Sequence, residues 1–379
     1  MDSIDIRALI MSGGRGKRFW PLSQVNLPKQ FIQLYGEGTL FQQTFRRLRL
    51  FLEPERIYTV TRGEYSGEIL AEVPEFIPEN IIVEPSARNT APCIGLGTIL
   101  AAGDDRTILI NLPADHYISD EQLFADTLQR AASAALRHDA VVTLGVPPTF
   151  PHDGYAYIHA KEPVPDGEGL LIADRFHEKP QVPVAQSYLE QGHHYWNSGI
   201  FVWRRGVILK LFQQYLPRHY QALAAIRRDR DKRIAGTLHR HFQTMPEISI
   251  DYGIMEQLSQ DKEQLFSIHL LPVEFAWSDL GSWSAIERQY RGTSPAADNV
   301  LVRGTFSGLT SGEIPCQGNL VLRGEVHALN TRNCTFRTEM KVAVLGAEDL
   351  LVIQDEDRLL ICRKSDEGHL GAVVDSIEQ

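Results

Sequence analysis

Apolar residues in the first two-thirds of the chain fall into two alternating patterns: short continuous runs and longer stretches with helical spacing. "IRALIMSG" reads as a buried strand ending in glycine. "RIYTVTR", "TILINLPADH" and "AVVTLGV" read as further strands, and "LFQQTFRRLRLFL" and "LFADTLQRAASAALRH" as helices with an apolar stripe. Strand, helix, strand in succession predicts a parallel sheet with right-handed crossovers. In such sheets ligands bind beyond the carboxyl ends of the strands. The glycine-rich segment after "IRALIM" and the "PADH" turn both fall at such ends. Beyond about residue 290 the pattern changes to short β-rich runs broken by Gly and Asn, as in "NVLVRGTFSGLTSGEIPCQGNLVLRGEVHALNTRNCTF" and "KVAVLGAEDLLVIQDEDRLLICRK". The expected fold class is α/β. A Rossmann-like mixed, mainly parallel sheet flanked by helices occupies 1–290, and a small, mostly β C-terminal domain occupies 291–379. The late β runs are loosely similar to one another without a clean repeat; a β-helix-like winding used in self-association, and hence a homodimer, is the expectation for them.

Composition narrows the function classes. A chain of 379 residues has room for two or three domains. Its net charge of −10 argues against a general nucleic-acid or membrane-surface binder, which needs a basic face. No apolar stretch approaches the roughly 20 residues of a membrane span. The acidic N-terminus shows no signal peptide, so a cytoplasmic location is expected. Four scattered cysteines, Cys93, Cys316, Cys334 and Cys362, have no metal-site spacing and read as reduced thiols. Against the acidic balance, the cluster Arg15, Lys17, Arg18 and Lys29 stands out.

That cluster shares its loop with Gly13, Gly14 and Gly16. A P-loop would need a glycine where Met11 stands and Ser or Thr where Arg18 stands. A dinucleotide fingerprint would need a glycine at Phe19. The remaining alternatives are a plain surface turn with solvated cations, or a phosphate loop of another kind. In the second, glycines let backbone N–H groups approach a nucleotide and the cations meet its triphosphate.

Eight stretches in order decide between them: "GGRGKRFWPLS…PKQF", "EPSARNTAP" (84–92), "LPADHYI" (112–118), "GYAYI" (154–158), "FHEKP" (176–180), "WNSGIFVW" (196–203), "SIDYGIMEQ" (249–257) and "WSDLGSW" (277–283). Over about residues 5 to 290 the chain resembles the sugar-nucleotidyltransferases, and within them the mannose-1-phosphate guanylyltransferase branch. The resemblance implies a nucleotidyltransferase fold and the reaction of GTP with mannose 1-phosphate to give GDP-mannose and pyrophosphate. It implies Mg²⁺ held by Asp115 and Asp279, with Arg18 and Lys29 on the triphosphate and Lys179 on the sugar phosphate. Gly13, Gly14, Gly16, Arg88, Asn89 and Thr90 would bind the nucleotide. Gly154, Glu178, Asn197 and Asp251 would bind the sugar.

Hard carboxylate oxygens suit Mg²⁺, and two anions that must react need their repulsion offset. His116 is expected to be structural, because the attacking phosphate oxygen is already ionised and needs no base. Trp277 and Trp283 read as core, and Asn89 or Thr90 as a helix cap. The chain departs from the family pattern at Ser12, Ala156 and Gln257, none of them a metal or phosphate ligand. Many bacterial relatives also carry a C-terminal cupin isomerase domain. The region after 290 is read as too short for one, so a single activity is expected. The alternatives are a nucleotidyltransferase for another sugar 1-phosphate, such as a heptose 1-phosphate, and a non-catalytic homologue that binds GDP-mannose. A silent copy would be expected to lose Arg18, Asp115, Lys179 or Asp279, and all four are present.

Overall fold

The structure, a computed structural model, describes residues 4–14, 16–24, 27–232, 234, 236–261, 266–292, 298–309 and 316–377. Arg15 of the cationic cluster lies outside the described residues. The chain divides into two compact units, Met1–Gly13 with Phe41–Trp277, and Gly14–Leu40 with Ser278–Gln379.

The first unit contributes β1 (Ile6–Met11), β2 (Ile57–Arg62), β3 (Ile81–Glu84), β4 (Ile108–Pro113), the two-residue β5 (Tyr117–Ile118), β6 (Val141–Val146), β7 (Tyr157–Pro163), β8 (Leu171–His177), β9 (His194–Arg204) and β10 (Ile268–Pro272). All but β5 form one sheet in the order β3-β2-β1-β4-β9-β6-β10-β8-β7. The block β3-β2-β1-β4 is parallel, with Ala8 opposite Ile57 and Ile6 opposite Ile108. β9 enters antiparallel between β4 and β6, and β10 runs parallel to β6. The sheet is therefore mixed, and the strands read from sequence coincide with β1, β2, β4 and β6.

Helices α1 (Leu40–Arg49), α2 (Ser66–Glu72), α3 (Thr90–Leu100), α4 (Glu121–His138), α5 (Val182–Gln191), α6 (Arg205–Tyr215), α7 (Pro217–Asp231), α8 (Thr237–Phe242) and α9 (Glu256–Gln260) complete this unit. α4 shows why its sequence folds as it does. Asp120 caps the first turn through Leu123 N–H at 2.9 Å, and Phe124, Leu128, Ala131 and Ala135 bury one stripe. α3 is apolar all round, and Ala91 through Ile99 are buried. It shares a core with Leu9, Val60, Phe201, Trp203, Leu211, Phe212 and Leu223. Burying each such large side chain contributes roughly 1.5–3 kcal/mol.

The two-residue β11 (Trp277–Ser278) spans the sequence boundary. The second unit then holds α10 (Trp283–Arg291), strands β12 (Val300–Leu309), β13 (Leu320–Leu329), β14 (Thr335–Leu345), β15 (Leu350–Asp355) and β16 (Arg358–Arg363), and the closing helix α11 (Leu370–Ile377). Strands β12 to β15 are parallel neighbours in sequence order, and β16 folds back antiparallel. Parallel neighbours ordinarily need a long crossover. Here Leu320 pairs with Thr335 and Thr335 with Leu351, so no helix intervenes and the chain winds as a coil. Val321, Val326, Cys334, Phe336 and Val352 fill its interior. The buried Asn319 ties three successive turns: its N–H reaches Asn299 Oδ1 at 2.9 Å, its Nδ2 the Thr331 carbonyl at 3.0 Å, and its Oδ1 accepts from Cys334 N–H at 3.0 Å. α10 is fastened to the coil by Glu287, which meets Arg291 at 2.7 Å and Lys364 at 2.6 Å. No disulfide joins the four cysteines, of which Cys93 and Cys334 are buried.

Candidate active site

In the first unit, β1 delivers the chain into the glycine loop. Ser12 is buried, its hydroxyl 2.8 Å from Thr59 Oγ1, which gives this departure from the family pattern a structural role. At Gly13 an added Cβ would lie 2.6 Å from Glu84 Oε1. Glu84 ends β3 and is buried. Burial pushes its carboxyl up to about 7, against the pull of the Arg62 charge.

The segment after Glu84 is tied down by its own polar groups. Arg88 donates to the Met245 carbonyl at 2.7 Å. Asn89 (φ 68°) caps α3, with Oδ1 accepting from Thr90 N–H at 2.8 Å. Thr90 Oγ1 accepts from Ile250 N–H at 2.8 Å. The capping reading therefore holds for Asn89, and Arg88 and Thr90 fix the loop to the 245–250 segment.

Asp115 follows the end of β4. Both carbonyls beside it are held from α1: Thr44 Oγ1 donates to Ala114 O at 3.0 Å and Arg47 Nη1 to His116 O at 3.0 Å. Arg47 is buried, and that burial pulls its guanidinium down to about 10 while Glu121 opposes the shift. His116 Nδ1 accepts from the Trp277 indole N–H at 3.2 Å, so its neutral form carries the proton on Nε2. Trp277 is buried, as the core reading expected.

A cavity of about 660 Å³ in this unit joins three separate motif stretches. Asn89 and Thr90, Glu178 and Lys179, and Ser249 and Asp251 all line it. Glu178 Oε1 pairs with Lys179 Nζ at 3.2 Å, while Oε2 is buried with no hydrogen-bond partner among the described residues. Asp251 accepts from Asn197 Nδ2 at 2.8 Å, and burial, then the Glu178 charge, push its carboxyl up to about 6. The Gly154 N–H is 2.9 Å from His152 Nδ1. Ala156 is buried, and its carbonyl accepts from Asn197 N–H at 2.9 Å. Gln257 donates to the Tyr252 carbonyl at 3.4 Å. A second cavity of about 640 Å³, along β3, is lined by apolar side chains such as Ile81, Val83, Leu100 and Ile226 and carries none of the proposed site residues.

In the second unit, Gly14 and Arg18 are exposed. Gly16 has φ +66°, and a Cβ there would collide with Lys29 Cβ, so only glycine fits. Lys29 is buried over the Phe19 ring, and its Nζ donates to the Asp279 carbonyl at 2.5 Å. Asp279 Oδ1 accepts from Gly281 N–H at 2.9 Å, closing a tight turn through Leu280 (φ 44°). Ser282 then caps α10. Phe19 meets the buried Trp283 edge-on at 5.4 Å between ring centroids. Lys17 pairs with Asp375 of α11.

The sequence reading missed three contributors. Glu84 opens the 84–92 stretch and carries no separate signal there. Arg47 and Thr44 gave no signal, since each sits in an ordinary amphipathic helix. The Trp277–His116 bond joins residues 161 apart in sequence.

Fixed loops that carry carboxylates at the carboxyl ends of parallel strands are where α/β enzymes bind their ligands. The chain belongs to the nucleotidyl transferase family, which residues 7–293 match. It is 30% identical to mannose-1-phosphate guanylyltransferase 2 of Escherichia coli O157:H7, across 100% of this chain and 74% of that one. It is 32% identical to the alginate biosynthesis protein AlgA of Pseudomonas aeruginosa, across 94% of this chain and 69% of that one. A solved structure from Thermus thermophilus, titled a mannose-1-phosphate geranyltransferase, superposes with a TM-score of 0.81 at 30% identity, covering 99% of this chain and 100% of the other. Among the described residues no helix is long and apolar enough to cross a membrane.

Proposed function

We propose that the chain transfers a guanylyl group from GTP to mannose 1-phosphate, releasing pyrophosphate. The observation that carries this is the polar cavity shared by Asn89, Thr90, Glu178, Lys179 and Asp251, taken with relatives named for that reaction. Its charged lining is unsuited to the apolar chain of a geranyl group.

In this reading a mannose 1-phosphate oxygen attacks the α-phosphorus of GTP in line. The new P–O bond forms as the bond to the β-phosphate oxygen breaks, and pyrophosphate leaves with the electron pair. No base is required, and none is assigned. Lys179 meets the sugar phosphate, and Arg18 meets the triphosphate and the charge that develops on pyrophosphate. Lys29 acts through the Asp279 turn that its ammonium holds. Glu178, Asn197, Asp251 and Gly154 face the sugar. Gly13, Gly14, Gly16 and the Arg88-Asn89-Thr90 segment frame the nucleotide.

Glu84 joins them as the group that reads the base. Guanine alone among the common bases offers two adjacent donors, N1–H and the 2-amino group, to one carboxylate. The hard oxygens of Asp115 and Asp279 suit Mg²⁺, which when bound neutralises phosphate charge. A cytoplasmic homodimer is the setting this reading expects, and light scattering after size exclusion tests the assembly.

The deciding assay is pyrophosphate release with Mg²⁺ across four nucleoside triphosphates and several sugar 1-phosphates. Release with GTP and mannose 1-phosphate supports the proposal. Preference for a heptose 1-phosphate or another pair changes the substrate. No release with any pair, alongside tight GDP-mannose binding, makes the chain a binding homologue.

A further inference from the structure

The β-coil carries a repeat that its sequence hides. Register pairs Arg303 on β12 with Arg323 on β13, and Arg323 with Arg337 on β14. The segments Val302-Arg303-Gly304, Leu322-Arg323-Gly324 and Phe336-Arg337-Thr338 thus lie side by side. Neighbouring strands stand about 4.8 Å apart, and like charges directly opposite one another destabilise a sheet. Three arginines in one row therefore need compensation.

The described residues supply it only in part. Arg323 pairs with Glu339 at 2.9 Å. Arg337 meets Asp355 at 3.6 Å and the Gln354 carbonyl at 3.5 Å. Arg303 has no hydrogen-bond or ion-pair partner among the described residues. All three line a cavity of about 100 Å³, closed on another side by Tyr290 of α10 and the 33–36 segment. Tyr290 is held there by Tyr35, 4.5 Å between ring centroids, and its hydroxyl donates to the Leu34 carbonyl at 3.4 Å. No residue assigned above to guanylyl transfer lines this cavity.

We propose that the arginine row is a second anion site, which takes one phosphoryl-type oxyanion on the β-coil. An arginine guanidinium carries parallel N–H pairs that match a tetrahedral oxyanion bidentately, and an anion here would add to or replace the Glu339 and Asp355 contacts of Arg323 and Arg337. A cavity of this size admits a single phosphate or a comparable group and excludes a nucleotide. A bound anion would join β12, β13 and β14 beside α10, the helix that follows the Asp279 turn.

The test is calorimetric titration of inorganic phosphate into the full chain, with R303Q, R303K and, as the active-site control, K179Q. Phosphate binding that R303Q weakens tenfold or more, that R303K restores to within about threefold, and that K179Q leaves in place supports the site. Pyrophosphate and mannose 1-phosphate, titrated in parallel into K179Q, show whether free phosphate or a phosphate ester is preferred. Thermal melting adds a signature of opposite sign. R303Q relieves repulsion and melts no lower than the parent in phosphate-free buffer, whereas phosphate raises the Tm of the parent, R303K and K179Q more than that of R303Q. No phosphate binding, equal binding by R303Q and the parent, or complete loss in K179Q overturns the proposal. R303Q retains parental turnover in phosphate-free buffer, which shows that it folds.

Discussion

Replacing Glu84 with Gln should make the protein more stable and its use of GTP worse. The carboxyl is buried and held at about 7 rather than its ordinary 4.5. At about 1.4 kcal/mol per pH unit, its ionisation costs the fold about 3 kcal/mol above neutrality, as an upper bound. Between pH 4.5 and 7 the folded protein keeps a proton that the unfolded chain has lost. Stability therefore falls as pH rises through that window and levels off above it. Gln carries no such proton. At roughly 2 °C per kcal/mol for a chain of this size, the gain in Tm of Glu84→Gln over the parent should be near zero at about pH 4.5 and reach about 6 °C at about pH 8. The same change replaces one of two acceptors with a donor that faces guanine N–H groups, so KM for GTP should rise about 10- to 100-fold. Differential scanning calorimetry across that pH range and steady-state kinetics with GTP measure both. A Tm gain independent of pH would refute the buried-carboxyl account. An unchanged KM for GTP would refute base recognition by Glu84.

Further outcomes follow from the same geometry. Asp279→Asn should lower turnover with Mg²⁺ about 100-fold or more while circular dichroism stays unchanged; full activity would remove Asp279 from the metal assignment. Arg47→Met leaves the buried His116 carbonyl without its 3.0 Å donor and should cost about 1–3 kcal/mol of stability. The Mg²⁺ concentration for half-maximal rate should also rise, and an unchanged value would mean that Arg47 does not position the Asp115 turn. Gly16→Ala forces a side chain against Lys29 at positive φ. It should cost roughly 1–3 kcal/mol, read as a lower Tm, and weaken nucleotide binding in titration; parental values for both would show that the loop relaxes freely.

The strand–helix alternation was legible because it is written locally. An apolar run of six residues such as "VVTLGV" declares a buried strand whatever surrounds it, and Gly16 declares its turn because no side chain fits. The coil reads from the sequence as β-rich runs with an expected β-helix-like winding, without its register. Its arginine row appears once register pairs residues 14 to 20 apart, at offsets that vary from turn to turn.

Chemical roles were the least legible. Lys29 reads from the sequence as a phosphate ligand beside the glycines, yet it is buried on the Asp279 carbonyl 250 residues away. Glu84 is only the first residue of the 84–92 stretch in the sequence, and its burial in the fold, beside Gly13, is what raises its pKa. The sequence by itself determined which segments are strands and helices, and which side chains are available, since propensity and periodicity act over a few residues. Only the tertiary structure decided which charges are buried, which are paired, and which face a cavity. Desolvation and Coulomb energies depend on distances through space, which chain separation does not encode.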